Sequence, residues 1–196
     1  MLILKSFSPI CNYQTQMAEY FDILDEKGTP TGKAKLRAEV HRDGDWHRSI
    51  DIWIINPQNE LLIQKRAMQK ESYPGLWEVS CSGHVAAGEE SLKSAIRELK
   101  EELSVEVAPT QLQFLFEDKE INITNNGTFI NKEFKEIYLL KLDWPVEKYT
   151  VQKEEVESVK YISQEGLKEA LKINPQDFVP HDLLYEKFFQ ILSKTI

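Results

Sequence analysis

Three glutamates recur along one predicted helix at a spacing that suits metal chemistry. The helix is predicted over residues 91–103, because its apolar residues recur on one face. Glu98, Glu101 and Glu102 lie at i, i+3 and i+4 on a second face, where each like-charge pair costs an isolated helix about 0.2–0.5 kcal/mol. Mg²⁺ prefers such carboxylate oxygens together with substrate phosphates. The face is therefore either a solvated acidic surface or a magnesium site.

The residues before this helix favour the magnesium site. A predicted strand ends at Gly83, and Gly88 and Glu89 open the turn into the helix. Glycine lets another group approach the backbone closely, because it has no side chain. A strand, a glycine loop and an acidic helix would bring carbonyl and carboxylate oxygens to one point.

The stretch from 83 to 105 resembles the Nudix box, the signature of the Nudix hydrolase superfamily. The box reads Gly, five residues, Glu, seven residues, Arg-Glu-apolar-any-Glu-Glu, any, Gly, apolar. The chain matches eight of these nine positions, which are Gly83, Glu89, Arg97, Glu98, Leu99, Glu101, Glu102 and Val105. Ser104 stands where the box has glycine, at the end of the helix, where glycine is favoured.

The resemblance implies a Mg²⁺-dependent or Mn²⁺-dependent hydrolase of a diphosphate bond, in a nucleoside diphosphate derivative or another organic diphosphate. The implied metal ligands are Glu98, Glu101, Glu102 and the backbone carbonyl of Gly83. The predicted catalytic residues are Glu101, Glu102, Glu136 and Arg97. Of these, Glu102 or Glu101 is the expected general base, and Glu136 is the alternative base or a further ligand. Arg97, with Glu89, is expected to orient the carboxylates.

A second resemblance is to isopentenyl-diphosphate isomerase, a branch of the same superfamily. That enzyme binds a metal through three histidines and two glutamates, and the histidines are similar to His41, His47 and His84. Glu136 matches one glutamate, and the other falls on Phe134. Two interpretations of His41 and His47 stay open, as metal ligands or as solvated or capping residues. The predicted substrate-binding residues are His84, Arg66 and His47.

The position of the isomerase cysteine holds Ser82 in this chain. A serine hydroxyl is much less acidic than a thiol and cannot readily replace it in proton transfer. Cys81, one residue earlier, points to the opposite face of a strand and is predicted to be a core residue. Hydrolysis is therefore the expected activity. Isomerisation and a non-catalytic diphosphate-binding domain are the alternatives.

The predicted elements form one α/β (α+β) domain, and the Nudix resemblance implies a mixed β-sheet sandwiched between helices. Strands are predicted at 20–25, 49–56, 60–66, 77–82, 112–117, 136–142 and 159–163, and residues 118–134 form a loop or hairpin. Helices are predicted at 33–41, at 91–103, after the N-cap Ser163, and at 182–193. Residues 1–16 are predicted to be an N-terminal extension, and 17–196 a single domain with a C-terminal helix.

Composition limits the partners of this 196-residue chain. Its net charge of −8 disfavours a nucleic-acid polymer, because neutralising phosphates requires clustered Lys and Arg. No apolar run approaches the roughly 20 residues of a membrane span. Two cysteines are too few for a disulfide framework, so a reducing cytoplasmic setting is expected. The expected partner is a small-molecule diphosphate, with no nucleic acid and no membrane; a homodimer stays open.

Overall fold

The computed structural model describes residues 18–195, which contain nine strands and four α-helices. The strands are Tyr20–Leu24 (β1), Pro30–Leu36 (β2), Trp46–Ile55 (β3), Glu60–Arg66 (β4), Trp77–Glu78 (β5), Cys81–His84 (β6), Leu112–Thr124 (β7), Phe129–Lys141 (β8) and Val156–Ser163 (β9). The helices are Arg37–Asp43 (α1), Ser91–Leu103 (α2), Gln164–Ile173 (α3) and Asp182–Thr195 (α4). The predicted extension, residues 1–16, lies outside the described residues.

Strand β3 organises the sheet. It runs parallel to β8 from the Trp46–Lys132 pair to the Ile55–Lys141 pair, and antiparallel to β6. Its alternate residues Ile50, Ile52 and Ile54 pack with Leu99 and Leu103 of α2 and other buried residues. The intervening residues Trp53 and Ile55 belong to a second cluster with Leu184, Phe188 and Leu192 of α4. A mixed sheet between helical layers is therefore confirmed, because β3 buries both of its faces.

Helix α2 has the predicted bounds, and Ser104 ends it. Ser104 adopts the left-handed conformation with φ of 56°, and its N–H is bonded to the carbonyls of Leu99 and Lys100. Its hydroxyl donates to the carbonyl of Thr150 at 3.0 Å. This bond ties down a residue whose side chain disfavours that conformation. The serine in the box therefore keeps the helix stop.

The prediction of a helix over 33–41 is wrong in its first half. Residues 30–36 form β2 and pair antiparallel with β1, and the helix begins at Arg37. Lysine, alanine and leucine favour helices, but propensity is a weak preference that tertiary pairing overrides. Residues 118–134 form a hairpin, in which the strands β7 and β8 continue to a turn at Asn125 and Asn126. Both turn residues have positive φ, which asparagine tolerates well.

Helix length was compared with the thickness of a bilayer. Within residues 18–195, no helix is long and apolar enough to cross a membrane.

Candidate active site

A cleft of about 270 Å³ lies where α2, β6 and the β7–β8 hairpin converge. Helix α2 contributes Glu98, Glu101 and Glu102, and β6 contributes Ser82, Gly83 and His84. The segment between β4 and β5 adds Lys70 and Tyr73. The sequence places the predicted metal ligands on one helix face, and the fold turns that face into the cleft.

The three glutamates differ in exposure. The side chain of Glu101 is about half exposed, whereas that of Glu98 is 12% exposed and the whole of Glu102 only 4%. Burial, together with the charge of Glu98, raises the pKa of Glu102 to about 8. Burial raises the pKa of Glu98 to about 7, although Arg97 opposes the shift. Glu98 is paired with Arg97, whereas Glu102 forms no ion pair within residues 18–195.

Gly83 permits the close approach between β6 and α2. A Cβ atom at this position would lie 2.4 Å from Cδ of Glu98, well inside van der Waals contact. The backbone conformation of Gly83 is one that other residues can adopt, so this glycine is required for space. Its small size brings the strand backbone against the carboxyl group of Glu98.

Arg97 holds the acidic side chains in place. Its Nη1 donates to Glu98 at 2.8 Å and to Glu101 at 3.1 Å, and its Nη2 donates to Glu89 at 3.3 Å. Nη2 also donates to the backbone carbonyl of His84 at 3.2 Å. These contacts are those of an orienting residue.

A second cluster lies beside the glutamates. His41, His47 and His84 each offer a ring nitrogen within 4.8 Å of the other two, so they could hold a metal ion. His41 is 3% exposed and His47 is fully buried, so neither is solvated. Nδ1 of His41 donates to the carbonyl of Arg37, and Nδ1 of His47 to that of Asp45. A neutral His47 held in this way carries a lone pair on Nε2, whereas Nε2 of His41 faces Oδ1 of Asn131.

The carboxylate beside the histidines is Glu133. Its Oε1 lies 3.3 Å from Nε2 of His84 and 3.9 Å from Nε2 of His47. Lys135 follows Glu133 by two residues on β8, so its side chain lies on the same side of the sheet. Its Nζ lies 3.4 Å from Glu133. Glu133 therefore connects the histidines to an ammonium group.

Lys135 is a buried cation surrounded by carboxylates. Its Nζ lies 2.9 Å from Glu120 and 3.6 Å from Asp51, in addition to its contact with Glu133. Burial alone would lower the pKa of Lys135, but these carboxylates raise it well above its usual value. Nδ1 of His181 lies 2.5 Å from Glu120 and extends the network to the start of α4. Neither Glu133 nor Lys135 was among the residues predicted from the sequence.

The chain was compared with protein families. The NUDIX domain model matches residues 45–182, which is more than half of the chain. The chain belongs to the Nudix superfamily. Its family and its relatives named as Nudix hydrolases support a Nudix pyrophosphohydrolase.

Relatives of this Nudix chain fall into two groups. Nudix hydrolase 3 of Arabidopsis thaliana is 42% identical to this chain over 90% of the chain's length. The matched region is only 23% of the length of the Arabidopsis protein. An uncharacterized Nudix hydrolase of Clostridium acetobutylicum is 32% identical, over 86% of the chain and 94% of that protein. The isopentenyl-diphosphate Delta-isomerase of Pectobacterium atrosepticum is also 32% identical, over 80% of the chain and 83% of the isomerase. Sequence similarity thus extends to both branches.

Solved structures share the fold. The Deinococcus radiodurans protein DR0079 has a TM-score of 0.68 and 21% identity, over 88% of this chain and 99% of that one. The NUDIX domain of Shewanella oneidensis NrtR, solved with ADP ribose, has a TM-score of 0.54 and 17% identity, over 74% and 86% of the two chains. At these identities the likeness concerns the Nudix fold alone.

Two positions matched to isomerase glutamates lie elsewhere in this Nudix fold. Glu136 does not line the cleft: it accepts hydrogen bonds from Arg48 of β3, from Tyr138 of β8 and from Ser91 at the start of α2. Phe134 packs against Trp46 in a small apolar cluster. Side chains alternate along β8, so residues 134 and 136 point away from the face that carries Glu133. Glu133, which was not predicted, is the carboxylate of β8 that faces the histidines.

Two predicted substrate-binding residues have other partners. His47 is fully buried and does not line the cleft, whereas His84 does. Arg66 lines the cleft, but its Nη1 donates to both oxygens of Glu78, at 2.8 and 3.0 Å. Its remaining contacts are with the carbonyl and hydroxyl of Ser72. The guanidinium group thus anchors the loop before β5, and few of its donors are left for a substrate.

The Arg66–Glu78 pair yields a stability prediction. Arg66→Met should lower the free energy of unfolding by about 3–5 kcal/mol, because it leaves the buried carboxylate of Glu78 without its cation. The matched control is Lys65→Met, which removes a more exposed pair with Glu157 and should cost less than about 1 kcal/mol. Urea unfolding followed by circular dichroism measures both. Equal costs for the two variants would contradict the assignment.

Proposed function

We propose that this enzyme hydrolyses the diphosphate bond of a nucleoside diphosphate derivative or another organic diphosphate, with Mg²⁺ or Mn²⁺ as cofactor and the cytoplasm as its location. Water would attack phosphorus, the bridging P–O bond would break, and two phosphate-terminated products would leave. The Nudix relatives and the acidic cleft support this activity. The cysteine content supports the location.

The observation that carries the proposal is the buried carboxyl group of Glu102, which lies near Glu98 and has no cationic partner within residues 18–195. Oε2 of Glu102 is buried without a hydrogen-bond partner within residues 18–195. Gly83 brings β6 close to the carboxyl group of Glu98. This closeness suits the role that the Nudix resemblance implies for the Gly83 carbonyl, as a ligand of the same metal ion. Hard oxygen donors around uncompensated negative charge suit Mg²⁺. These residues therefore fit the cofactor, with Glu98, Glu101, Glu102 and the Gly83 carbonyl as its proposed ligands.

Bound Mg²⁺ supplies charge that neutralises phosphates and lowers the pKa of water. The remaining work falls to the protein. Glu102 or Glu101 takes a proton from water, and Arg97 keeps Glu98 and Glu101 oriented through its bonds. Glu136 is not brought to the cleft, and its partners at the start of α2 suit a structural role.

The test is an activity screen with Mg²⁺ and Mn²⁺ over nucleoside diphosphate sugars, dinucleotides and isopentenyl diphosphate. Phosphorus NMR of the products scores hydrolysis, and proton NMR scores isomerisation in the same samples. Metal-dependent cleavage of at least one compound supports the proposal. Conversion of isopentenyl to dimethylallyl diphosphate without cleavage would support the isomerase instead. Binding without any turnover would indicate a non-catalytic domain.

The raised pKa values predict how Mg²⁺ stabilises the fold. Because folding raises the pKa of Glu98 to about 7 and of Glu102 to about 8, the native state holds extra protons between about pH 4.5 and 8. Without metal, this contribution to stability falls as the pH rises through that window. The cation binds the ionised carboxylates. The rise in Tm caused by about 5 mM Mg²⁺ should therefore be larger at pH 8.5 than at pH 6. An equal rise at both pH values would contradict the prediction.

A further inference from the structure

The wall of the cleft away from the glutamates is polar. Only two of its lining residues within the described part of the chain have apolar side chains, Phe129 and Val179. Its polar residues include Ser72, Tyr73, Ser82, Asn122, Asn131 and Lys135, and charged side chains such as Arg37, Lys70 and Glu133 line the cleft as well. A diphosphate held at the glutamates would direct its attached group into these surroundings.

Two asparagines form the centre of the polar wall. Asn122 of β7 and Asn131 of β8 are directly paired across the hairpin, so their side chains are neighbours on one face. The hydroxyl of Tyr73 lies 3.5 Å from Oδ1 of Asn122, and Nε2 of His41 lies 3.1 Å from Oδ1 of Asn131. Within residues 18–195, the side chain of Asn122 has only the hydrogen bond with Tyr73, at Oδ1, which leaves its amide nitrogen for a ligand. The pair therefore offers hydrogen-bonding groups to a ligand.

Lys135 makes the wall polar without supplying a free charge. Its ammonium group is already surrounded by Asp51, Glu120 and Glu133. A second phosphate would have to compete with these three carboxylates. The wall is thus better suited to hydroxyl, carbonyl or ring-nitrogen groups than to a further anion.

A hydrocarbon group would fit this wall poorly. It would displace water from the asparagine amides and return no hydrogen bond, and polar groups left unpaired in this way are costly. Sites built to bond a polar group reject analogues that lack it much more strongly than apolar pockets reject a change of size. An isoprenyl group, which is a hydrocarbon, is therefore disfavoured at this wall.

We propose that the Asn122–Asn131 pair makes this enzyme select diphosphates whose attached group is polar and hydrogen-bonding, and reject isoprenyl diphosphates. The inference rests on the proposed function, because it assumes that the diphosphate lies at Glu98, Glu101 and Glu102. It assigns specificity to the hairpin and leaves the hydrolytic step to α2.

The test compares ADP-ribose and UDP-glucose with isopentenyl diphosphate, in Mg²⁺, by kcat/KM from phosphorus NMR. We expect the better polar substrate to exceed isopentenyl diphosphate by about 100-fold or more. Equal or greater efficiency with isopentenyl diphosphate would overturn the inference and leave the proposed hydrolysis intact. If no compound is cleaved, the proposed function fails. Calorimetric Kd values for the same compounds then decide the inference, and tighter binding of a polar compound supports it.

The variant that isolates the asparagines is Asn122→Leu, with Gln113→Leu as its control. Both replace an amide on β7, but Gln113 is exposed and does not line the cleft. Asn122→Leu should lower kcat/KM for the polar substrate by about 10-fold or more and reduce its advantage over isopentenyl diphosphate. Gln113→Leu should leave both values unchanged. An unchanged preference in folded Asn122→Leu and Asn131→Leu, checked by circular dichroism, would overturn the assignment.

Discussion

Replacing Glu102 with glutamine is expected to lower kcat for the best diphosphate substrate by about 10²–10⁴-fold. The amide has nearly the same shape as the carboxyl group, but it cannot take a proton from water and binds a divalent cation poorly. The fold should persist, because Glu102 is buried near Glu98 and the substitution removes a repulsive charge. Steady-state kinetics and a thermal melt of the same preparation measure the two effects.

The matched control for this experiment is Glu106→Gln. Glu106 follows the same helix, is exposed and contacts Lys100 at 2.7 Å. Its replacement should change kcat less than about twofold, because it lies outside the cleft. Turnover by Glu102→Gln at the wild-type rate would exclude Glu102 as either base or essential ligand.

Gly83→Ala should also cause a large loss, of about 10² in kcat/KM. The added Cβ would lie 2.4 Å from Cδ of Glu98, so the carboxyl group must move by about 1 Å to reach normal contact. Misplacement of a catalytic group by this amount is sufficient for such a loss. Kinetics with a titration of Mg²⁺ should also show weaker activation by the metal.

Gly88→Ala is the control for adding a methyl group to a glycine near the start of α2. Gly88 has positive φ but no atom within 4 Å of an added Cβ, so its substitution should reduce stability by about 1 kcal/mol and spare activity. If Gly83→Ala retained wild-type kinetics, the close approach of β6 to Glu98 would have no part in catalysis.

The glutamate face could be predicted because it depends on one helix. The spacing of Glu98, Glu101 and Glu102 fixes their neighbours as soon as the helix forms, and the helix has its predicted bounds. The apolar face of α2 was equally evident, since Leu99 and Leu103 are both fully buried. Cys81 is buried as predicted.

The polar network at the histidines could not be predicted in the same way. It depends on the register between β3 and β8, which pairs His47 with Glu133 across the sheet. Because side chains alternate, an error of one residue exchanges the two faces of a strand. The isomerase resemblance matched its two glutamates to Glu136 and Phe134, whereas the structure places Glu133 beside His84. The short strand Trp77–Glu78 and the long hairpin also depend on pairing between distant segments.

His84 is a point of contact between two chemical centres. Its backbone carbonyl accepts a hydrogen bond from Arg97, which orients the glutamates, and its ring contacts Glu133 in the histidine cluster. Through His84, β6 therefore connects the proposed metal ligands of α2 to a histidine cluster that could hold an ion. An ancestral protein with this arrangement could exchange one chemistry for the other through substitutions in the cleft, without rebuilding the sheet. The relatives include proteins named as hydrolases and proteins named as isomerases, and a scaffold that holds both groups of side chains beside β6 would permit both.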